Sequence, residues 1–175
     1  MKIEDKLIAF SLPGVGGANV STDDLADREF LAVIFGCNHC PYVKAYLDRI
    51  IQIDNNYRSK GLEIVMVNPN NEDTYPEDSF ENMQALAAEK EFKFHYLRDE
   101  TATVARQFEA KVTPEVYLFD KDRLLRYKGR IDDCWHSQKG VKKHDFLNAL
   151  DDILAHREIG VKSTTPIGCT IKWPS

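Results

Sequence analysis

Cys37 and Cys40, in the run Gly36-Cys37-Asn38-His39-Cys40-Pro41, are the residues best equipped for chemistry. Two thiols separated by two residues can close to a disulfide, exchange with an external one, or supply half of a zinc site. The elements that hold them narrow the choice. Phe30 to Phe35 is an unbroken apolar run, the pattern of a strand buried on both faces. Pro41 suits the first position of a helix, and Val43, Leu47, Ile50, Ile51 and Tyr57 give that helix an apolar stripe up to a glycine stop at Lys60-Gly61. At such a junction the first-turn N–H groups are unpaired and the helix dipole adds positive charge, so a thiol there ionises more easily. The expectation is that the Cys37 pKa falls and Cys37 attacks, with Cys40 one turn on as the resolving thiol. Protonated His39 would add positive charge and make the pair more oxidising.

Other uses of the pair fare less well. A complete zinc site needs a second pair, for which Cys134 and His136 are the candidates, and the five histidines show no metal-ligand spacing. A c-type haem site needs histidine directly after the second cysteine, where Pro41 stands. Redox use is therefore preferred, with no cofactor and no metal. Val112-Thr113-Pro114 precedes a strand. An ordinary bend before an edge strand and a cis peptide bond both fit those residues; beside the paired cysteines, the cis form is the reading taken.

The remaining pattern supplies the frame. Leu62 to Val67 and Phe94 to Leu97 read as strands, Glu115 to Phe119 and Leu124 to Tyr127 as a hairpin turning at Asp120 to Arg123. Ser79 caps a helix to about Glu91, Thr101 to Ala110 is a short helix, and His144 to Arg157 a closing one. Residues 68–78 form a polar loop whose Asn68, Asn71 and Tyr75 are placed to rim the site. Residues 1–29 show little periodicity beyond a cap at Ser21, and the last residues read as a tail holding Cys169 and Trp173. This order is α/β with mixed strand directions. With 175 residues and no linker or repeat, one domain spanning 1–175, with 160–175 as its tail, is the simplest organisation. A net charge of −5 argues against nucleic acid or an anionic membrane as partner. The apolar run Leu31 to Phe35 is too short to span a bilayer. Charges at Lys2, Glu4, Asp5 and Lys6 occupy the place of an export signal's apolar stretch, so a cytoplasmic location is expected.

The segments FSLPG, VIFGCNHCPYV, VNPNNEDTYPEDSF, YLRDET, VTPEVYLFD, YKGRIDD and GCTIKW together resemble the peroxiredoxin-like branch of the thioredoxin superfamily. The resemblance covers nearly the whole chain. It implies a thioredoxin-like fold: a central mixed sheet flanked by helices, an N-terminal extension, and an insertion between the CxxC and the proline loop. It also implies that Thr113 and Pro114 lie against the pair, supported by Asn38, His39 and Pro41, and offer backbone hydrogen bonds to a partner.

Two departures qualify what the resemblance implies. The peroxiredoxin pattern Pro-x-x-x-Thr-x-x-Cys fails in either frame: the Thr and Pro positions are Cys37 and Val33 counted from Cys40, or Ile34 and Phe30 counted from Cys37. The buried acid that thioredoxins carry six residues before the first cysteine is here Leu31. Thiol–disulfide exchange with protein or small-molecule disulfides, fed by an external thiol reductant, is the first reading. Hydroperoxide reduction is the second, and a non-enzymatic zinc-binding or scaffold module the third. Cys134 reads as an incidental semi-buried thiol. Cys169 is a candidate third thiol, if the tail returns to the pair. Arg130 and the pairs Asp132-Asp133 and Asp151-Asp152 read as solvated surface.

Overall fold

The computed structural model describes all 175 residues. In chain order its elements are β1 (Ser11–Pro13), β2 (Asn19–Ser21), β3 (Phe30–Phe35), α1 (Pro41–Tyr57), β4 (Leu62–Asn68), α2 (Phe80–Glu89), β5 (His95–Arg98), α3 (Thr103–Phe108), β6 (Val112–Thr113), β7 (Glu115–Phe119), β8 (Leu125–Gly129), α4 (Asp145–Leu154) and β9 (Cys169–Thr170). Five strands form the central sheet in the order β5-β4-β3-β7-β8. β3 runs parallel to β4, and β4 to β5; β7 pairs antiparallel with β3 and with β8. The mixed sheet is as expected from sequence.

β3 and β4 are buried along their whole length because both faces of the sheet are covered. Their side chains alternate between two cores. Ala32, Ile34, Ile64 and Met66 face α1, α2 and α4, against Tyr46, Leu47, Ile50, Met83, Phe146 and Leu150. Leu31, Val33, Phe35, Val65 and Val67 face α3 and the chain's two ends, against Phe10, Leu25, Phe108 and Ile171. This period of two is why the apolar runs are continuous rather than alternating. α1 ends in a short turn closed by Gly61, whose φ of 99° is the left-handed conformation glycine adopts without strain.

Several expectations shift. The three helices after α1 are shorter than their sequence patterns, and Ser79 caps α2 by accepting from the Asn82 N–H at 3.3 Å. The N-terminal region holds the β1–β2 hairpin, and the tail holds β9, which pairs with β6. Asp132 is not surface: it is 4% exposed, accepts from the Tyr46 hydroxyl at 2.9 Å and pairs with Arg49 at 2.7 Å. Asp151 is exposed as expected, and accepts from the Tyr57 hydroxyl at 2.6 Å. Arg130 is not free either, since its Nε meets Asp145 at 2.7 Å. No helix is long and apolar enough to cross a membrane.

Candidate active site

β3 and β4 end side by side, with Phe35 paired to Val67, so Cys37 and the 68–78 loop emerge at the same end of the sheet. β7 pairs its first residue, Glu115, with Phe35. That register brings Thr113 and Pro114, joined by a cis peptide bond as expected, against the two cysteines. Cys37 Sγ lies 3.6 Å from the Thr113 hydroxyl, and Cys40 Sγ lies 3.3 Å from the Thr113 carbonyl oxygen. Both cysteine residues are fully buried, and all four cysteines of the chain are free thiols.

The tail completes the cluster. β9 lies antiparallel to β6 with Cys169 opposite Thr113. Cys169, partly exposed, packs against the Cys37–Cys40–Val43 cluster together with Tyr42. Its thiol hydrogen-bonds to the Cys40 sulfur. The candidate third thiol thus stands beside the pair.

The charge is not where the sequence placed it. α1 begins at Pro41, which makes Cys40 the N-cap and leaves Cys37 outside the helix. The Cys37 thiol most of all, and then the nearby Cys169 thiol, Val43 N–H and Thr113 hydroxyl, favour charge on Cys40, outweigh burial and hold its pKa well below that of an ordinary thiol. The Thr113 carbonyl, a partner only for the protonated form, opposes them singly. Cys37 moves the other way: donating to Cys40 raises its pKa most, then burial, then the negative charge of Asp78. The expectation that Cys37 carries the thiolate is therefore corrected. The pair shares a proton that rests on Cys37, with the negative charge on Cys40.

The CxxC backbone is held by a residue that sequence reading missed. Asp78, at the end of the 68–78 loop and fully buried, accepts from the Asn38 N–H at 2.7 Å and the His39 N–H at 3.1 Å. Its second oxygen meets His39 Nδ1 at 2.5 Å and the Asn70 amide at 2.8 Å. A carboxylate only accepts, so Nδ1 carries the hydrogen. His39 also stacks on Tyr75, with ring centroids 5.1 Å apart. The expected cation at His39 is thus tied to a buried anion, and it is that anion whose charge bears on Cys37. Asn38 is fixed in turn by the Tyr96 hydroxyl at 2.8 Å and the Glu77 carbonyl at 2.9 Å. Of the loop residues expected at the rim, Tyr75 meets His39; Asn68 is buried and holds the Asp78 carbonyl at 3.0 Å; Asn71 binds the tail through Lys172 at 2.8 Å.

Cys134 lies against His136, 3.7 Å from Nε2, and the two join no larger ligand cluster. The second zinc pair is thus not assembled. Cys37, His39 and Asp78 do bring ligand-type atoms within 4.8 Å of one another. The hydrogen bonds already described occupy Nδ1 and both carboxylate oxygens. A cavity of about 260 Å³ opens onto Cys37 between α1 and α2, lined by Asn38, Val43, Lys44, Leu47, Leu86 and Lys90.

A mixed sheet flanked by helices, with a thiol pair at a strand–helix junction facing a cis-proline loop, defines a thioredoxin-like protein of the thiol-based redox class. More narrowly, the chain belongs to the AhpC/TSA family, whose pattern matches residues 3–128. Its whole length is similar to two solved structures. One is an uncharacterized conserved protein of Geobacillus kaustophilus, 36% identical over 99% of this chain and 93% of that one, with a TM-score of 0.92. The other is a hypothetical protein of Sinorhizobium meliloti, 30% identical over 100% and 96%, with a TM-score of 0.94. The fold is also that of the peroxidoxin BcpB of Mycobacterium tuberculosis, at 18% identity over 89% and 95% and a TM-score of 0.67. Comparison with curated proteins finds no match.

Proposed function

We propose that the chain is a thiol–disulfide oxidoreductase whose working couple is Cys37–Cys40. The observation that carries this reading is the placement of the pair: two buried free thiols at a strand–helix junction, Cys37 Sγ 3.6 Å from the Thr113 hydroxyl and Cys40 Sγ 3.3 Å from the Thr113 carbonyl, beside the cis Thr113–Pro114 bond. Cys37 is the member that lines the open cavity. As a disulfide enters there, the Cys37 proton passes to Cys40, and the Cys37 sulfur attacks. One half of the incoming disulfide leaves as a thiolate and takes up that proton. Cys40 then attacks Cys37 Sγ, releasing the second half and closing the Cys37–Cys40 disulfide. Two electrons have moved from the pair to the substrate, and an external thiol reductant restores them.

Trapping tests the roles. Reduced Cys40→Ser, treated with a small aromatic disulfide, is expected to hold a stable mixed disulfide at Cys37, while Cys37→Ser should react far more slowly. If Cys37→Ser instead traps the adduct at the wild-type rate, Cys40 is the attacking thiol. If wild-type protein never closes the pair, the couple is not the working centre.

Family membership and the Thr113 hydroxyl, 3.6 Å from Cys37 Sγ, favour hydroperoxide reduction as the second reading. Peroxide consumption with dithiothreitol as reductant separates the two. Turnover no faster than that of free dithiothreitol removes the peroxidase reading.

A further inference from the structure

The chain's own tail occupies the strand position beside the cis-proline loop. β9 pairs with β6 in antiparallel register, Cys169 opposite Thr113, and the Ile171 N–H donates to the Lys111 carbonyl at 3.1 Å. Close approach is built in at Gly168, where a Cβ would stand 2.1 Å from the Thr113 carbonyl oxygen and 3.1 Å from the Pro114 nitrogen. Beyond β9 the tail is anchored. Ile171 is 3% exposed in the second core, and the Lys172 N–H donates to the Asn70 side chain at 2.9 Å. The Arg106 guanidinium lies 4.8 Å from the centre of the Trp173 ring. This tail is therefore seated rather than draped, and it closes the Cys40 side of the pair. The cavity at Cys37 lies between α1 and α2, on different residues from those that hold the tail. Of the three clustered thiols, Cys169 is the one that reaches solvent.

We infer that Cys169 is a third redox thiol, which takes over the disulfide from Cys37–Cys40 and presents it to an external thiol reductant at the surface. This rests on the reading of Cys37–Cys40 as the working couple. The tail adds to β6 as an edge strand, which sets Cys169 opposite Thr113 and beside the pair. In the transfer the Cys169 thiol gives up its proton and attacks Cys40 Sγ. The Cys37–Cys40 bond breaks as the Cys40–Cys169 bond forms, and the displaced Cys37 sulfur leaves with the electron pair and takes the proton. No net electrons move. Hydrogen bonding to a Cys40 thiolate no longer opposes ionisation of Cys37 at that stage, because Cys40 is held in the disulfide. An external thiol then attacks Cys169 Sγ and Cys40 departs. Cys40 is the best leaving group of the three, since its thiolate is the one that the helix terminus and its neighbours stabilise. A second thiol of the reductant attacks the mixed disulfide at Cys169, releases the Cys169 thiol and leaves the reductant oxidised. Substrate and reductant thus use opposite sides of one buried pair.

Tryptic mapping reads the transfer directly. Cys37 and Cys40 share the peptide 29–44, whereas Cys169 lies in 163–172. After stoichiometric oxidation with a small disulfide, a crosslink between these two peptides is expected alongside the closed 29–44 peptide. Cys37→Ser should give the crosslink as its main product. Stopped-flow reduction of the oxidised protein is expected to slow by about tenfold or more in Cys169→Ser, while oxidation of the reduced pair keeps its wild-type rate. Dithiothreitol and a thioredoxin-type protein dithiol serve as separate reductants. Slowing with either supports the relay, and the one affected more identifies the natural source. A closed Cys37–Cys40 pair that Cys169→Ser reduces as fast as wild type, with no crosslinked peptide, overturns the relay alone. A pair that never closes overturns the relay together with the function it rests on.

Discussion

Replacing Asp78 should loosen the active-site loop and change its acid–base behaviour, and the two effects can be measured apart. The carboxylate is fully buried and takes four hydrogen bonds: two from the backbone N–H groups of Asn38 and His39, and two from the side chains of His39 and Asn70. In Asp78→Ala all four donors lose their acceptor. The His39 ring can turn to water, while the Asn70 amide is buried and the two backbone N–H groups are fixed by the chain. Each buried donor left alone costs about 1–3 kcal/mol. Three of them predict a loss of about 3–9 kcal/mol, a large part of the roughly 5–15 kcal/mol that holds a typical domain together. Asp78→Asn keeps one oxygen for the backbone pair and sets an amide NH2 against the other two donors, so a smaller loss of about 1–3 kcal/mol is expected. Urea unfolding under reducing conditions measures both. The same Asn variant removes the negative charge that helps hold the Cys37 thiol protonated, so Cys37 should ionise at lower pH than in wild type. Alkylation rate against pH, with peptide mapping to assign the site, reads that shift. Asp78→Ala unfolding within about 1 kcal/mol of wild type would refute the claim that these bonds organise the loop. An unmoved Cys37 profile in Asp78→Asn would refute the electrostatic claim.

The Cys40 thiolate makes a prediction of its own. Its pKa is lowered from 9.0 to about 4, so ultraviolet thiolate absorbance should be present in the reduced protein at pH 7 and fade on acidification toward pH 4. Because the folded value lies below the unfolded one, this group's stabilisation is complete above about pH 9 and is lost as pH falls through the folded value. Reduced wild type should therefore lose stability relative to Cys40→Ser as pH drops across that window; a difference independent of pH would count against the assignment. Gly168→Ala places a methyl on the Thr113 carbonyl and should lift β9 from β6. Cys40 and Cys169 are then expected to alkylate faster with the central sheet intact by circular dichroism, and unchanged protection would show that β9 does not guard the pair.

The central sheet was readable because burial on both faces writes itself as apolar runs, unbroken at Phe30–Phe35 and interrupted only by Glu63 at Leu62 to Val67. Short strands leave no such trace. β1 and β2 are three residues each and β9 is two, and what makes β9 a strand is hydrogen bonding to β6, more than fifty residues earlier in the chain. Buried carboxylates are equally silent. Asp78 sits in a polar run that reads as a loop, and Asp132 in an acidic pair that reads as solvated surface. Only the folded chain shows the donors that satisfy them: the CxxC backbone for one, and Tyr46 and Arg49 for the other.

The location of the thiolate is a different case, because its signal was present. Pro41 has no N–H and suits the first helical position, so reading it there already makes Cys40 the N-cap. The helix start therefore acts on Cys40, which stands at the cap, and not on Cys37, three residues before it. The rest depends on tertiary contacts that no spacing reveals. Cys169 is remote in sequence, yet it donates to the same sulfur as Cys37, and the Thr113 hydroxyl comes from a third segment. A thiolate with two thiol donors differs chemically from one with a single donor, since either neighbour can form the disulfide with it. Thus the arrangement that stabilises charge on Cys40 also gives the oxidised pair two possible partners. The relative stability of the two disulfides decides which partner holds the bond, and access decides where an external thiol attacks it: Cys169 is the least buried of the three thiols.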